Sequence, residues 1–185
     1  RLSYTVNGFE NHRSKPFTES YEDILQMIKA CRINGDQIFT AYSVALELRI
    51  KFFASMPLTK LIESTEDRIP LIENSQVGLD FMLSYFQLVK VLNSPSIKEK
   101  WDDETYDTTV TLERLTKENN RTKLALFHTP KLVFHYFLGQ YRESLQESEI
   151  AARYVDNILG DPAQITHVFF TALNIEKNSG NGLGV

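Results

Sequence analysis

The chain is poor in the residues and spacings that announce a reaction. It has one cysteine, Cys31, so an internal disulfide is excluded and a reducing, cytoplasmic setting is expected. Cys31 falls among apolar positions at helical spacing and is expected as a buried structural thiol. Lys and Arg never run beyond a pair and the net charge is −4, which excludes the clustered basic face that nucleic acid requires. The longest apolar stretch, 81–92, is broken by Ser84, Gln87 and Lys90, too short and too polar for a membrane span. No His-Glu-x-x-His or Glu-x-x-His spacing occurs. His128 and His135 share a helical face but stand two turns apart, roughly 10 Å, too far to ligate one metal ion. His167 has no acidic neighbour at ligand spacing. There is no Gly-x-Ser-x-Gly elbow and no phosphate loop with its Lys-Ser/Thr. No catalytic residue, metal or cofactor is therefore expected. The acidic run Asp102, Asp103, Glu104 and Asp107 lacks the glycine and closing glutamate of a calcium loop and is expected as a solvated charge run.

What the chain does have is helical periodicity. With 42% of its residues hydrophobic it can bury a substantial core. Pro16 suits a first helical position, and Phe17, Tyr21, Ile24, Ile28 and Cys31 continue at helical spacing to an Asn34-Gly35 stop. Asp36 caps a second helix that runs to about Ala54. A third is predicted over 58–73, with Pro70 imposing a kink or an early end. The fourth, 76–93, is apolar except for one stripe, Asp80, Ser84, Gln87 and Lys90. Residues 94–119 are rich in charge and threonine and form a variable insert with one helix near 110–118.

Two helices pinched at Gly139 follow. The first, 124–138, is apolar on nearly every side. The second is one-sided, with Tyr141, Leu145, Ser148, Ala152, Val155 and Leu159 on one face and Arg142, Glu143, Gln146 and Glu147 opposite. Gly139 can close its helix in the left-handed conformation, and Tyr141 can pack back across the turn; Gly35 marks the earlier structural turn. A last helix runs over 163–176 through Ile165, Val168, Phe169 and Ala172. The lead-in 1–15, with its Asn7-Gly8 turn, and the tail 177–185 are expected to be loose.

Buried-type helices thus begin near residues 37, 76, 123 and 163, a period of about 40 residues stretched once by the insert. No stretch alternates with period two long enough to build a sheet. The predicted fold is all-α, an antiparallel helical-repeat segment of the tetratricopeptide-like α-solenoid kind, spanning 1–185 as one domain. Because the chain opens on Arg1 in place of Met, it is expected to be a piece of a longer protein.

Three blocks carry a resemblance. ENHRSKPFTESYEDILQMIKACRINGDQIFTAYS (10–43), ASMPLTKLIESTEDRIPLI (54–72) and LFHTPKLVFHYFLGQYRESLQESEIAARYVD (126–156) resemble the helical region of very large bacterial signalling kinases. In that family an Asn-His motif precedes a helix and a Gly-Asp turn, and a leucine-rich helix meets a Gly-x-Tyr turn. Pro130 departs from the family, standing in a helix that is continuous there. The resemblance implies a serine/threonine kinase domain and an AAA/STAND ATPase before this region, with GAF or PAS sensors and a histidine kinase after it. No catalytic residue of the family maps onto this chain.

The function so implied is that of a non-catalytic repeat segment. Its partners are the neighbouring ATPase, kinase and sensor domains, and Asp80, Ser84, Gln87 and Lys90 form its expected interaction surface. The alternative is a free-standing adaptor that binds a partner protein or peptide in its groove. The reading of Gly139 has a direct test. Gly139→Val is expected to cost on the order of 1–2 kcal/mol or more, well above a helix-surface change, and equal thermal melts would place the turn elsewhere.

Overall fold

The computed structural model describes Ser14 and residues 16–94 and 101–180. The lead-in with its Asn7-Gly8 turn, residues 95–100 of the insert and residues 181–185 of the tail lie outside the described residues. Eight α-helices occur among those described, and the only β pairing there is an isolated bridge between Asp103 and Tyr106. The all-α expectation holds. The chain divides into two compact units, Arg1–Asn93 and Ser94–Val185.

The first unit contains α1 (Phe17–Ile33), α2 (Gln37–Phe53), α3 (Leu58–Glu66), a 3-10 turn (Ile69–Leu71) and α4 (Gln76–Asn93). Pro16 occupies the N-cap of α1, one position ahead of the expected one. Asp36 caps α2 by accepting a hydrogen bond from the Phe39 amide at 3.1 Å. Pro70 sits in the 3-10 turn, and α3 ends four residues before it, as ring sterics dictate. The core forms where α2 meets α1 and α4, around Ile24, Val44, Leu48, Leu88 and Val89. Cys31, expected inside, is half-buried.

The second unit contains α5 (Thr108–Lys117), α6 (Arg121–Phe137), α7 (Tyr141–Ala152), a 3-10 turn (Val155–Ile158) and α8 (Pro162–Gly180). The insert is better anchored than its composition suggested. Trp101 and Tyr106 are buried, and the Trp101 ring lies 5.0 Å from that of Phe134 on α6. Its acidic run is exposed, as expected, and two of its members brace α5: Asp102 accepts from the Thr108 amide at 2.9 Å, and Asp107 caps the helix by accepting from the Val110 amide at 2.9 Å. α6 continues through Pro130. α8 runs on through Gly180, so residues 177–180 are helical where a loose tail was expected.

Four helices close the same way. After α1 the Gly35 amide donates to Arg32 O and the Asp36 amide to Cys31 O; after α6 the Gly139 amide donates to Tyr136 O and the Gln140 amide to His135 O. These are paired 6→1 and 5→2 bonds around a left-handed residue, with φ of +67° at Gly35 and +72° at Gly139. Ser55 (φ 60°) and Asn119 (φ 49°) do the same for α2 and α5 without being glycine. Tyr141 packs back across the second of these turns as expected, its ring 5.5 Å from that of Tyr136.

The face of α7 departs from the expected one. The helix stops at Ala152, and its buried residues are Ser144, Ser148 and Ala151; Ala152 and Leu159 are exposed. Three small side chains allow α7 to approach its neighbours closely; Ser148 lies on the expected face, while a hydropathy reading undervalues Ser144.

A second close approach, in the first unit, yields a prediction. Gly78 of α4 lies against Ala41 of α2, where an added Cβ would stand 2.4 Å from the Ala41 Cβ. Helix propensity alone would make Gly78→Ala stabilising by about 1 kcal/mol. The contact reverses that sign, and urea denaturation is expected to show a loss of about 1–3 kcal/mol.

Candidate functional site

The residues named in advance as an interaction surface do not form one. Asp80, Ser84 and Gln87 are buried, and Lys90 is half-buried with its ammonium 5.3 Å from the Phe86 ring centre. Asp80 accepts a hydrogen bond from the Gln76 side-chain amide at 2.8 Å. The stripe is part of the interior, which corrects the expectation of an open docking face. A helix apolar on most of its surface can be covered on its polar stripe too when the buried polar groups find hydrogen-bond partners, here within the helix itself.

The interior of the first unit also holds charge. Glu47 of α2 is buried and joined to Lys51 at 2.7 Å and Arg68 at 3.0 Å. The Glu47 hydrogen bond holds the Arg68 guanidinium charged and raises its pKa, against a smaller opposing effect of burial. Arg68 also lines an open cleft of about 380 Å³ with Lys29, Arg32 and three aliphatic side chains of α1.

In the second unit the densest ionisable cluster joins α6 to α7. His128 and Lys131 are one turn apart on α6 and converge on Glu147 of α7, at 2.6 Å and 3.1 Å. A carboxylate only accepts, so His128 Nδ1 carries the donated proton. The His128 ring lies nearly parallel to Tyr154, at 14° and 6.3 Å, and the Arg121 guanidinium covers the same Tyr154 ring. Burial works against ionisation of Glu147, but the His128 hydrogen bond and the Lys131 charge outweigh it and hold the carboxyl below the usual carboxylate range. His128 is buried, and the cluster clamps α6 to α7 through its ion pairs, with Lys131 also lining an open cleft. His135 hydrogen-bonds Gln140 at 2.7 Å beside an open cleft of about 680 Å³ lined by Trp101, Asp102, Asp103 and Phe134. Among the described residues no three His, Cys, Asp or Glu side chains converge in a way that could hold a metal ion, and no helix there is long and apolar enough to cross a membrane.

The most unusual surface belongs to α8, which packs on α7 through its polar side. His167 Nε2 donates to Ser148 O at 3.1 Å. The Ser148 hydroxyl meets Thr171 Oγ1 at 2.6 Å, and Asn174 Nδ2 donates to Ser144 Oγ at 2.7 Å. Asn178 Nδ2 donates to Tyr141 O at 3.3 Å. Positions 167, 171, 174 and 178 form one helical face, so Ile165, Val168, Phe169 and Ile175 point the other way. They are exposed at 62%, 63%, 56% and 53%. The sequence reading named three of these apolar residues but placed them inside. The 4-3-4 recurrence of His, Thr, Asn and Asn on the opposite side was the available signal.

The fold and its surfaces define a protein that is all-helical among the described residues, whose Glu47 and Glu147 clusters are ion-paired and whose Ile165, Val168, Phe169 and Ile175 on α8 face outward. No family model, curated protein or solved structure matches the chain.

The Glu147 clamp predicts a pH dependence. A carboxyl whose folded pKa is depressed contributes stability that is present above its unfolded value, near 4.5, and lost as pH falls through the folded pKa. Glu147→Gln is expected to cost about 1–3 kcal/mol at neutral pH, with the gap to wild type closing in acid below that unfolded value. A gap unchanged between pH 7 and pH 3 in denaturant titrations would rule the clamp out.

Proposed function

We propose that this chain is a non-catalytic helical-repeat segment of the tetratricopeptide-like solenoid kind that works by surface association. It is read as a cytoplasmic interaction and relay part of a large ATPase/kinase signal-transduction protein. One observation carries the reading: α8 is held by hydrogen bonds on its polar side and turns an apolar stripe outward. Large exposed apolar patches mark association surfaces. In helical arrays each unit leaves such a face for its neighbour.

Further support comes from the hairpins. α1–α2 and α6–α7 are joined by the same three-residue glycine turn, which fits repetition of one supersecondary unit. The kinase setting rests on the three resembling blocks, 10–43, 54–72 and 126–156. Two of them end in or contain these turns. The ion-paired clusters at Glu47 and Glu147 fit a scaffold better than a catalytic centre, since their charges are used to join helices.

Two measurements test the proposal. Calorimetry with Mg-ATP is expected to show no saturable heat and a coupled assay no turnover, because the chain has neither a phosphate loop nor a kinase catalytic loop; saturable turnover would overturn the non-catalytic reading. Amide exchange is expected to slow over residues 165–175 when the chain is embedded in its full reading frame with kinase and ATPase motifs. Equal exchange in both settings would remove the relay role.

A further inference from the structure

We propose that the outward face of α8 is a self-association surface, on which a second copy of this chain packs the same helix in the antiparallel sense. The inference rests on reading the α8 face as an association surface and goes further by naming its occupant. Ile165, Val168, Ala172 and Ile175 recur at 3-4-3 spacing, which is the a/d seam of a helix pair. All four are exposed, with Phe169 beside them.

An antiparallel two-fold pairs a with d positions across the seam. The layers are then Ile165 against Ile175 of the second copy and Val168 against Ala172 of the second copy, each occurring twice by symmetry. Two broad outer layers enclose two narrow inner ones, and the small Ala172 leaves room for Phe169 to lie over it. The pairing is complementary in shape to itself, which an isologous contact requires.

Charge points to the same occupant. The only ionisable side chains in the last three turns of α8 beyond the seam are Glu176 and Lys177. In this register Glu176, flanking the seam, stands level with the uncharged Gln164 of the second copy, and Lys177 lies on the far side of the helix, so no like charges meet. A helix lying on an anionic bilayer would carry a basic flank, and α8 has a single lysine. The four large side chains and Ala172 present roughly 500 Å² of apolar surface, as large as the patches that monomers ordinarily carry. Two such faces bring about 1,000 Å² together, the lower bound of a specific interface, before any flanking contact from Leu159, also exposed.

Sedimentation equilibrium of the 185-residue chain between about 1 and 100 µM is expected to give a monomer–dimer equilibrium. Val168→Glu places a charge in both inner layers and is expected to raise the dimer dissociation constant on the order of 100-fold. Because the side chain is exposed in the single copy, helix content and melting of that monomer should match those of the undimerised wild type. A second experiment fixes the register. In a Cys31→Ser background, a mixture of Ile165→Cys and Ile175→Cys chains is expected to form a mixed disulfide dimer on mild oxidation, with neither variant cross-linking efficiently alone. A wild-type chain monomeric at 100 µM, a dimer indifferent to Val168→Glu, or efficient cross-linking of Ile165→Cys with itself would each overturn the proposal. A monomeric chain whose residues 165–175 still gain exchange protection in the full reading frame would leave the association reading standing while removing the second copy as the occupant.

Discussion

The hydroxyl of Ser144, wholly buried, donates to Leu132 O on α6 and accepts from the side-chain amide of Asn174 on α8. One small polar group thereby ties three helices together at fixed rotation. Buried donors and acceptors are costly when unpaired, so α8 cannot turn about its own axis without leaving several groups of the 167–178 ladder unmatched. Which face of α8 looks outward follows from that constraint, and so does the apolar stripe on which the functional reading depends. The same closeness explains the residue types on α7. Ser144, Ser148 and Ala151 are the buried positions because larger side chains would hold the flanking helices apart.

A second constraint acts at the helix ends. Left-handed residues at Gly35, Ser55, Asn119 and Gly139 each satisfy two otherwise orphaned carbonyls and reverse the chain within three residues or a few more. Short reversals force consecutive helices to be neighbours. The ionic clusters then lock the resulting pairs: Glu47 holds α2 to Arg68 at the end of α3, and Glu147 holds α7 to His128 and Lys131 of α6. Charges used in this way are neutralised within the fold.

The eight α-helices among the described residues were legible, and several limits were legible to the residue, because the signals are local. Asp36 as a cap, Asn34-Gly35 and Gly139 as stops, and the span 76–93 all depend on backbone chemistry within four residues. Pro70 ended α3 early for the same kind of reason. Facing was far less legible. The Asp80–Lys90 stripe looked like a surface because its residues are polar, and it is interior because Asp80, Ser84 and Gln87 are buried. Val168 and Phe169 looked like core because they are apolar, and they are surface because His167, Thr171, Asn174 and Asn178 found partners on α7. The insert looked solvated, yet buried Trp101 packs on Phe134 of α6 with buried Tyr106 against its ring.

By itself the sequence determined that this protein is helical, where most of its helices start and stop, and that Gly35 and Gly139 carry turns, though not the left-handed Ser55 and Asn119. Those properties come from propensity, caps and glycine, which act over one turn of chain. The tertiary structure alone decided which side of each helix is buried, since that depends on hydrogen-bond partners and close contacts supplied by residues tens of positions away. Ser144 meets Leu132 and Asn174, Gly78 meets Ala41, and Glu147 meets His128. A polar face with partners can outcompete an apolar face without them, and hydropathy along one helix carries no record of the neighbour.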